Sequence, residues 1–237
     1  MLRLLLISAG CCGIFSTLIA QQTAQNQPID TLETVVVKAF EQNRKLIDVG
    51  AAVVVVGKST LHRFQNFSLV SALNTQPGVR MEERSPGSYR LNIRGSSLRS
   101  PFGVRNVKVY YNDIPYTTPG GDSYFNQFGF NGISSIEIIK GPGSSLYGAG
   151  TGGVLLLQST PKPWQEGVSV QWSMGSFQSK NQYINARAGT EQFQNTFSLQ
   201  NQESNGYRDQ SALKRTVLSW DLSSTLTEKS KLESHSV

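Results

Sequence analysis

Hydrophobic positions fall into two textures along this chain, divided near the prolines at Pro161 and Pro163. Before them the apolar residues come in short, dense runs. Val53 to Val56 is unbroken and ends at Gly57, which predicts a strand covered on both faces. Ser68 stands where a hydroxyl can cap a helix, Leu69 and Leu73 share a face one turn apart, and Pro77-Gly78 stops the run. Tyr89, Leu91 and Ile93 alternate with Arg90, Asn92 and Arg94, the spacing of a half-buried strand. Val107 to Tyr111 reads as a strand meeting a turn at Asn112-Asp113, two residues that tolerate left-handed backbone. Ile133, Ile136 and Ile138 lead into a bend carrying six glycines from Gly141 to Gly153, and Val154 to Leu157 leaves it as another strand. Apolar strands press on both sides of that bend, so a tightly packed turn is predicted, with positive φ and close backbone approach.

Past the prolines, apolar and polar residues alternate. Val168 to Met174 does so without exception, and Ile184, Ala186 and Ala188 oppose Tyr183, Asn185 and Arg187. Phe193, Phe197 and Leu199 share a face with Asn195, opposite Gln194, Thr196, Ser198 and Gln200, while Leu218, Trp220 and Leu222 oppose Val217, Ser219 and Asp221. Strands of roughly 8–10 residues, apolar on one side and uncharged-polar on the other, mark a transmembrane β-barrel. A soluble sandwich would alternate in a similar way. The hydrophilic segment Gln202 to Gln210, with Asn205-Gly206-Tyr207-Arg208, reads as a loop.

Composition narrows the function. Charged residues make up only 16% of the 237 positions, and the formal charge of +6 is scattered without a Lys/Arg run, so nucleic-acid binding is not expected. Arg3 followed by the apolar stretch Leu4 to Ala20, ended by Gln21-Gln22, reads as a signal peptide. Ala20 is a plausible last residue, although Leu18 is not the small residue expected two before it. A lipoprotein signal ending at Cys11 would leave too short an apolar core. Cys11 and Cys12 both lie inside this segment, so the exported chain would carry no disulfide and no thiolate site. His62 and His235 stand far apart without clustered acidic partners, and neither a metal site, a cofactor nor an enzyme activity is expected. Gly148 to Gly153 satisfies G-x-G-x-x-G, but a strand follows it where a helix would be needed. Gly57-Lys58-Ser59 imitates a P-loop with Ala52 in place of the leading glycine.

The glycine bend carries more than turn chemistry. Ile136-Glu137-Ile138, Gly141-Pro142, Ser145-Leu146-Tyr147-Gly148 and Gly152-Gly153-Val154, in that order, resemble the end of the plug domain of TonB-dependent outer-membrane receptors. Pro77-Gly78-Val79 and Ile93-Arg94-Gly95 resemble two earlier motifs of the same family, and Asn112-Asp113 departs from its usual Asp-Gly. On this resemblance Arg94, Gly95, Gly141, Pro142, Tyr147, Gly148, Gly152 and Gly153 are plug-motif residues. Arg90 and Arg94 would be solvated or would pair with acidic groups on the inner barrel wall. Thr31 to Ala39 follows the polar stretch Gln21 to Ile29, which reads as a mobile tether. Read bare, Thr31 to Ala39 is a first strand; in position and letters it looks like the family's TonB box, centred on Glu33, Thr34, Val35, Val36 and Val37.

The resemblance implies an organisation: a signal peptide over 1–20, a leader with the TonB box over 21–40, a plug over 41–162 and the first barrel strands over 163–237. The expected fold is an α+β plug domain, a small mixed sheet with short helices, followed by antiparallel transmembrane β-barrel strands. A plugged barrel has about 22 strands, so the barrel is incomplete here and the chain is expected to be a fragment or a truncated product. Two long loops, Ser96 to Arg105 and Tyr116 to Phe130, the second with five aromatics, are read as ligand-facing because aromatic and polar residues on a long loop suit ligand capture, with Arg99, Phe102, Tyr116, Asp122 and Tyr124 as candidates. The function implied is import of a scarce metal chelate, first of all a ferric siderophore, across the bacterial outer membrane. TonB and its inner-membrane energising complex would supply the work. The alternatives are a non-transporting truncated plug and an exported β-rich adhesin or binding module.

Overall fold

A computed structural model describes residues 35–41, 43–64, 67–96, 103–148, 150–159, 164–227 and 230–236. The signal peptide, the polar leader, Glu33, Thr34, Arg99 and Phe102 lie outside the described residues.

The first part of the chain builds short strands and single-turn helices. In order these are β1 (Val36–Val37), β2 (Arg44–Lys45), β3 (Val53–Val56), α1 (Lys58–Arg63), α2 (Val70–Leu73), β4 (Val79–Ser85) and β5 (Ser88–Ile93). They are followed by β6 (Val107–Tyr111), β7 (Ile114–Pro115), β8 (Ser135–Lys140), α3 (Ser144–Tyr147) and β9 (Gly153–Gln158). The main sheet runs β3-β8-β9-β6-β7; β6 and β9 are parallel, and every other pair in it is antiparallel. β4–β5 forms a separate hairpin and β1–β2 a two-residue ribbon.

This sheet is covered on both faces, which is why its central strands read as unbroken apolar runs. Along β9, Leu155 and Leu157 enter one core cluster with Leu73, Met81, Leu91 and Ile93, while Val154 and Leu156 enter another with Val37, Ala39 and Ile139. Each fully buried leucine contributes about 1.5–3 kcal/mol. The helix read near Leu69 is one turn long. Ser68 Oγ accepts the Val70 N–H at 3.3 Å, and the Asn74 side chain brackets Met81 through both its amide atoms, at 2.7 and 3.0 Å, tying the helix end to β4. α1 lacks an amphipathic repeat long enough to announce itself in sequence.

The two turns read from sequence have the backbone their residues suit. Asn112 and Asp113 both carry positive φ, 48° and 69°, and close a two-residue hairpin between β6 and β7. The glycine bend is dense: a Cβ on Gly143 would stand 2.5 Å from Val154 Cγ2, and one on Gly152 would stand 2.8 Å from the Asn106 carbonyl oxygen.

The second part is an antiparallel meander of β10 (Gly167–Gly175), β11 (Ser179–Gly189), β12 (Phe193–Ser204), β13 (Leu213–Thr227) and β14 (Ser230–Ser236), each paired with its sequence neighbours. Its alternation is inside out. Val168, Val170, Trp172, Met174, Phe197, Leu218 and Trp220 are exposed, whereas Asn181, Asn185, Thr196, Ser198, Gln200 and Gln202 are buried against the first part. Gln202, read as the start of a loop, instead lies within β12 and is fully buried; an inward polar residue on a polar-lined strand resembles a loop residue in sequence. Among the described residues no helix is long and apolar enough to cross a membrane.

Candidate functional site

Three regions hold the candidate functional residues. The first is the N-terminal strand. Val35 and Val36 are 47% and 57% exposed, and Val37 is completely buried. β1 pairs only Val36 with Lys45 and Val37 with Arg44, so its ladder, in the ribbon with β2, has two rungs. The next residues are anchored by side chains instead. The backbone N–H groups of Lys38 and Ala39 donate to the Glu137 carboxylate, and that of Phe40 donates to the Tyr147 hydroxyl at 2.7 Å. Lys38 Nζ meets Asp113 Oδ2 at 2.6 Å.

The second region is the pair of loops read as ligand-facing. Val104 and Ser123 exchange backbone hydrogen bonds of 2.9 Å in both directions, which stitches the two loops together. Asp122 accepts Nε and Nη2 of Arg105 at 2.7 and 3.1 Å, a bidentate pair that raises the Arg105 pKa. Asp122 and Tyr124 flank Gly103, where an added Cβ would lie 3.3 Å from each side chain. Tyr116 leans on Phe128 with ring centroids 4.1 Å apart, its hydroxyl bonds the Gln127 side chain, and burial pushes its pKa up to about 12. The loop's aromatics divide: Phe125, Phe128 and Phe130 are buried in the core by two 3₁₀ turns at Phe125–Gln127 and Phe130–Gly132. Those three rings anchor the loop and are not free to face a ligand, so the richness in aromatics overstated its binding surface.

The motif residues hold the bend. Arg94, at φ 52°, donates Nη1 to the Lys140 carbonyl at 3.3 Å, a contact within the first part of the chain. Gly95, Gly141 and Gly148 carry φ of 82°, 106° and 76°. Pro142 is exposed beside them, and Tyr147 is buried.

The third region was not legible in the sequence: the polar surface between the two parts. Asn131 donates to Gln171 Oε1 at 3.0 Å, and its carbonyl oxygen accepts from Asn181 at 3.1 Å and Gln200 at 2.7 Å, touching three strands at once. Ser159 Oγ donates to Asp221 Oδ2 at 3.0 Å, Asn112 Nδ2 donates to Ser159 Oγ at 2.8 Å, and His235 Nδ1 pairs with the other Asp221 oxygen. Arg215 spreads its guanidinium over the Phe130 ring at 4.9 Å, and Arg208 donates to the Arg84 carbonyl at 3.0 Å. The available signal was the run of uncharged polar residues on one face of each late strand.

A mixed sheet with a glycine-dense bend, seated on the polar face of an inside-out antiparallel wall, can be compared with known proteins. Residues 45–154 match the family model described as the TonB-dependent receptor plug domain. The chain carries a plug domain of the TonB-dependent receptor type. It is similar to the vitamin B12 transporter BtuB of Vibrio vulnificus, 29% identical over 153 residues, which is 63% of this chain and 24% of that protein. Among solved structures it resembles FpvA of P. aeruginosa bound to a pyoverdine–iron complex (TM-score 0.64, 17% identity, 84% of this chain and 26% of the other). It also resembles the ferric-catecholate import receptor Fiu of E. coli K12 (TM-score 0.61, 17% identity, 81% and 27%). The chain thus spans about a quarter of the length of these relatives. The mixed sheet is the plug, and the meander has the fold of the opening wall of the barrel around it.

Proposed function

We propose that this chain is the front of an outer-membrane importer that takes up a scarce metal chelate, with TonB supplying the work. The observation that carries this reading is the seating of the plug. Its polar surface meets the polar face of β10 to β13, and the apolar residues of those strands turn outward, the arrangement of a wall that stands in lipid and is closed by its plug. Ahead of the plug, Val35 and Val36 are exposed on a weakly held strand, which suits pairing with a partner's sheet edge. Glu33 and Thr34 complete the proposed TonB box. Signal-directed export to the bacterial outer membrane accompanies the proposal.

A ferric siderophore is the first choice of ligand, supported by the fold shared with receptors named for pyoverdine and ferric catecholate. Vitamin B12 is the second, favoured by the BtuB match. Arg99, Phe102, Tyr116, Asp122 and Tyr124 are proposed to face the ligand, with Asp122 and Tyr124 brought together around Gly103. The decisive experiment measures accumulation of iron-labelled siderophores and of labelled vitamin B12 in cells expressing the receptor, with and without TonB. One ligand is expected to accumulate only when TonB is present. Equal accumulation of every ligand in both backgrounds would remove the energised-import reading.

A further inference from the structure

Glu137 is a charged residue placed where charge is costly. It lies on β8, an inner strand of the plug sheet between β3 and β9, 6% exposed, between Ile136 and Ile138 of one core cluster and beside Ile139 of the other. A carboxylate in such a place needs strong donors. Its donors include the backbone N–H of Lys38, 2.9 Å from each carboxylate oxygen, and the N–H of Ala39, 3.0 Å from Oε2. The side chains on either side, Val37 and Ala39, are 0% and 1% exposed and pack into the cluster of Val53, Ile139, Tyr147, Val154 and Leu156.

We infer that Glu137 is the release catch of the coupling strand: its carboxylate holds the backbone at residues 38–39 docked on the plug and sets how readily that segment comes away. This rests on the reading of residues 33–37 as the TonB-coupling strand. Load entering at Val36 meets the Glu137 contacts before it reaches β3. The two rungs of β1–β2 offer little resistance. The Lys38–Asp113 pair is partly solvated, with Asp113 46% exposed, and pairs of that kind hold weakly. Phe40 and the Tyr147 hydroxyl add one neutral hydrogen bond. The charge-assisted bonds to Glu137 are the strongest polar hold in the segment. They belong to a side chain, so they can open by rotation about its own bonds while the sheet ladder stays intact. Glu137 and Tyr147 act alike in this geometry, since each receives a backbone N–H from the segment that leads out of the coupling strand.

The test reads docking directly and is run in isolated outer membranes from cells lacking TonB, so its outcome does not depend on how TonB engages. Ala39→Cys reports the docked segment through its rate of maleimide labelling, and Leu73→Cys reports the distant core. In a Glu137→Gln background the side chain turns an amide NH₂ toward backbone donors, and labelling at Ala39→Cys is expected to rise about tenfold or more while Leu73→Cys stays protected. Glu137→Asp keeps the charge, shortens the reach, and is expected to raise labelling at the same place; it serves if the glutamine variant fails to assemble. Unchanged labelling at Ala39→Cys would overturn the inference. So would an equal rise at Leu73→Cys, which would make Glu137 a general support of the plug.

Discussion

Gly153 carries φ 152°, and a Cβ added there would be driven into the Ile139 carbonyl oxygen and stand 3.0 Å from Ile93 Cδ1. Both obstacles sit in packed strands that cannot retreat, so Gly153→Ala is expected to cost about 1–3 kcal/mol, read as a shift in denaturant midpoint at constant slope. Tyr116 gives a prediction of a different kind. Burial lifts its hydroxyl from the ordinary 10.0 to about 12, so between those values the unfolded chain releases a proton that the folded chain keeps. Its contribution is fully present below pH 10 and is lost as pH rises through about 12. Tyr89 and Tyr111 are pushed higher still by burial, so they share the loss from pH 10 upward and Tyr116 supplies one proton's part of the slope. Tyr116→Phe is expected to flatten the fall in melting temperature across that window. An unchanged alkaline slope would place Tyr116 in solvent.

At the scale of elements, β1 is the part whose proposed use depends on backbone alone. Proline at position 36 removes an N–H and restricts the preceding residue, yet Val36 is exposed and contributes little to the core. Val36→Pro is therefore expected to abolish TonB-dependent uptake while ligand binding at the cell surface is kept; undiminished uptake would remove Val35 to Val37 from the coupling role. The elements also differ in how far they can be read in advance. Val53–Val56, β9 and the Asn112-Asp113 turn were legible because each is decided by its own residues: a run buried on two faces, or a turn that needs left-handed backbone. α1 was not, because six residues carry no full apolar repeat. The aromatics of the 116–130 loop misled because an anchoring ring and a ligand-binding ring are the same letter until the backbone aims them. The same limit hid Glu137: its partners are backbone N–H groups 98 and 99 residues away, which no local pattern encodes.

At the scale of the whole molecule the deciding feature is which side of each late strand is dry. Alternation in sequence fits a soluble sandwich and a membrane wall equally well. In the structure most side chains buried against the plug are amides and hydroxyls, joined by Val217 and Asp221, and the exposed ones include Val, Trp, Met, Phe and Leu. A sandwich would place them the other way round. Much of the inward face is neutral: the amides of Asn131, Gln171, Asn181 and Gln200 bond one another across three strands without the desolvation penalty of buried ions, and the carboxylate of Asp221 is held by Asn112, Ser159 and His235. Leu218 tests the proposed lipid setting. It is 51% exposed and lies opposite Leu199 in the middle of the β12–β13 ladder, so it would stand well inside the bilayer. Leu218→Arg is expected to cost about 2–4 kcal/mol of folding free energy in lipid, read as loss of the folded band on electrophoresis without heating. Were the strand in water, an arginine at a half-exposed site away from the core would change stability by no more than about 0.5 kcal/mol. The folded fraction of that single variant, measured in bilayers, separates the two settings.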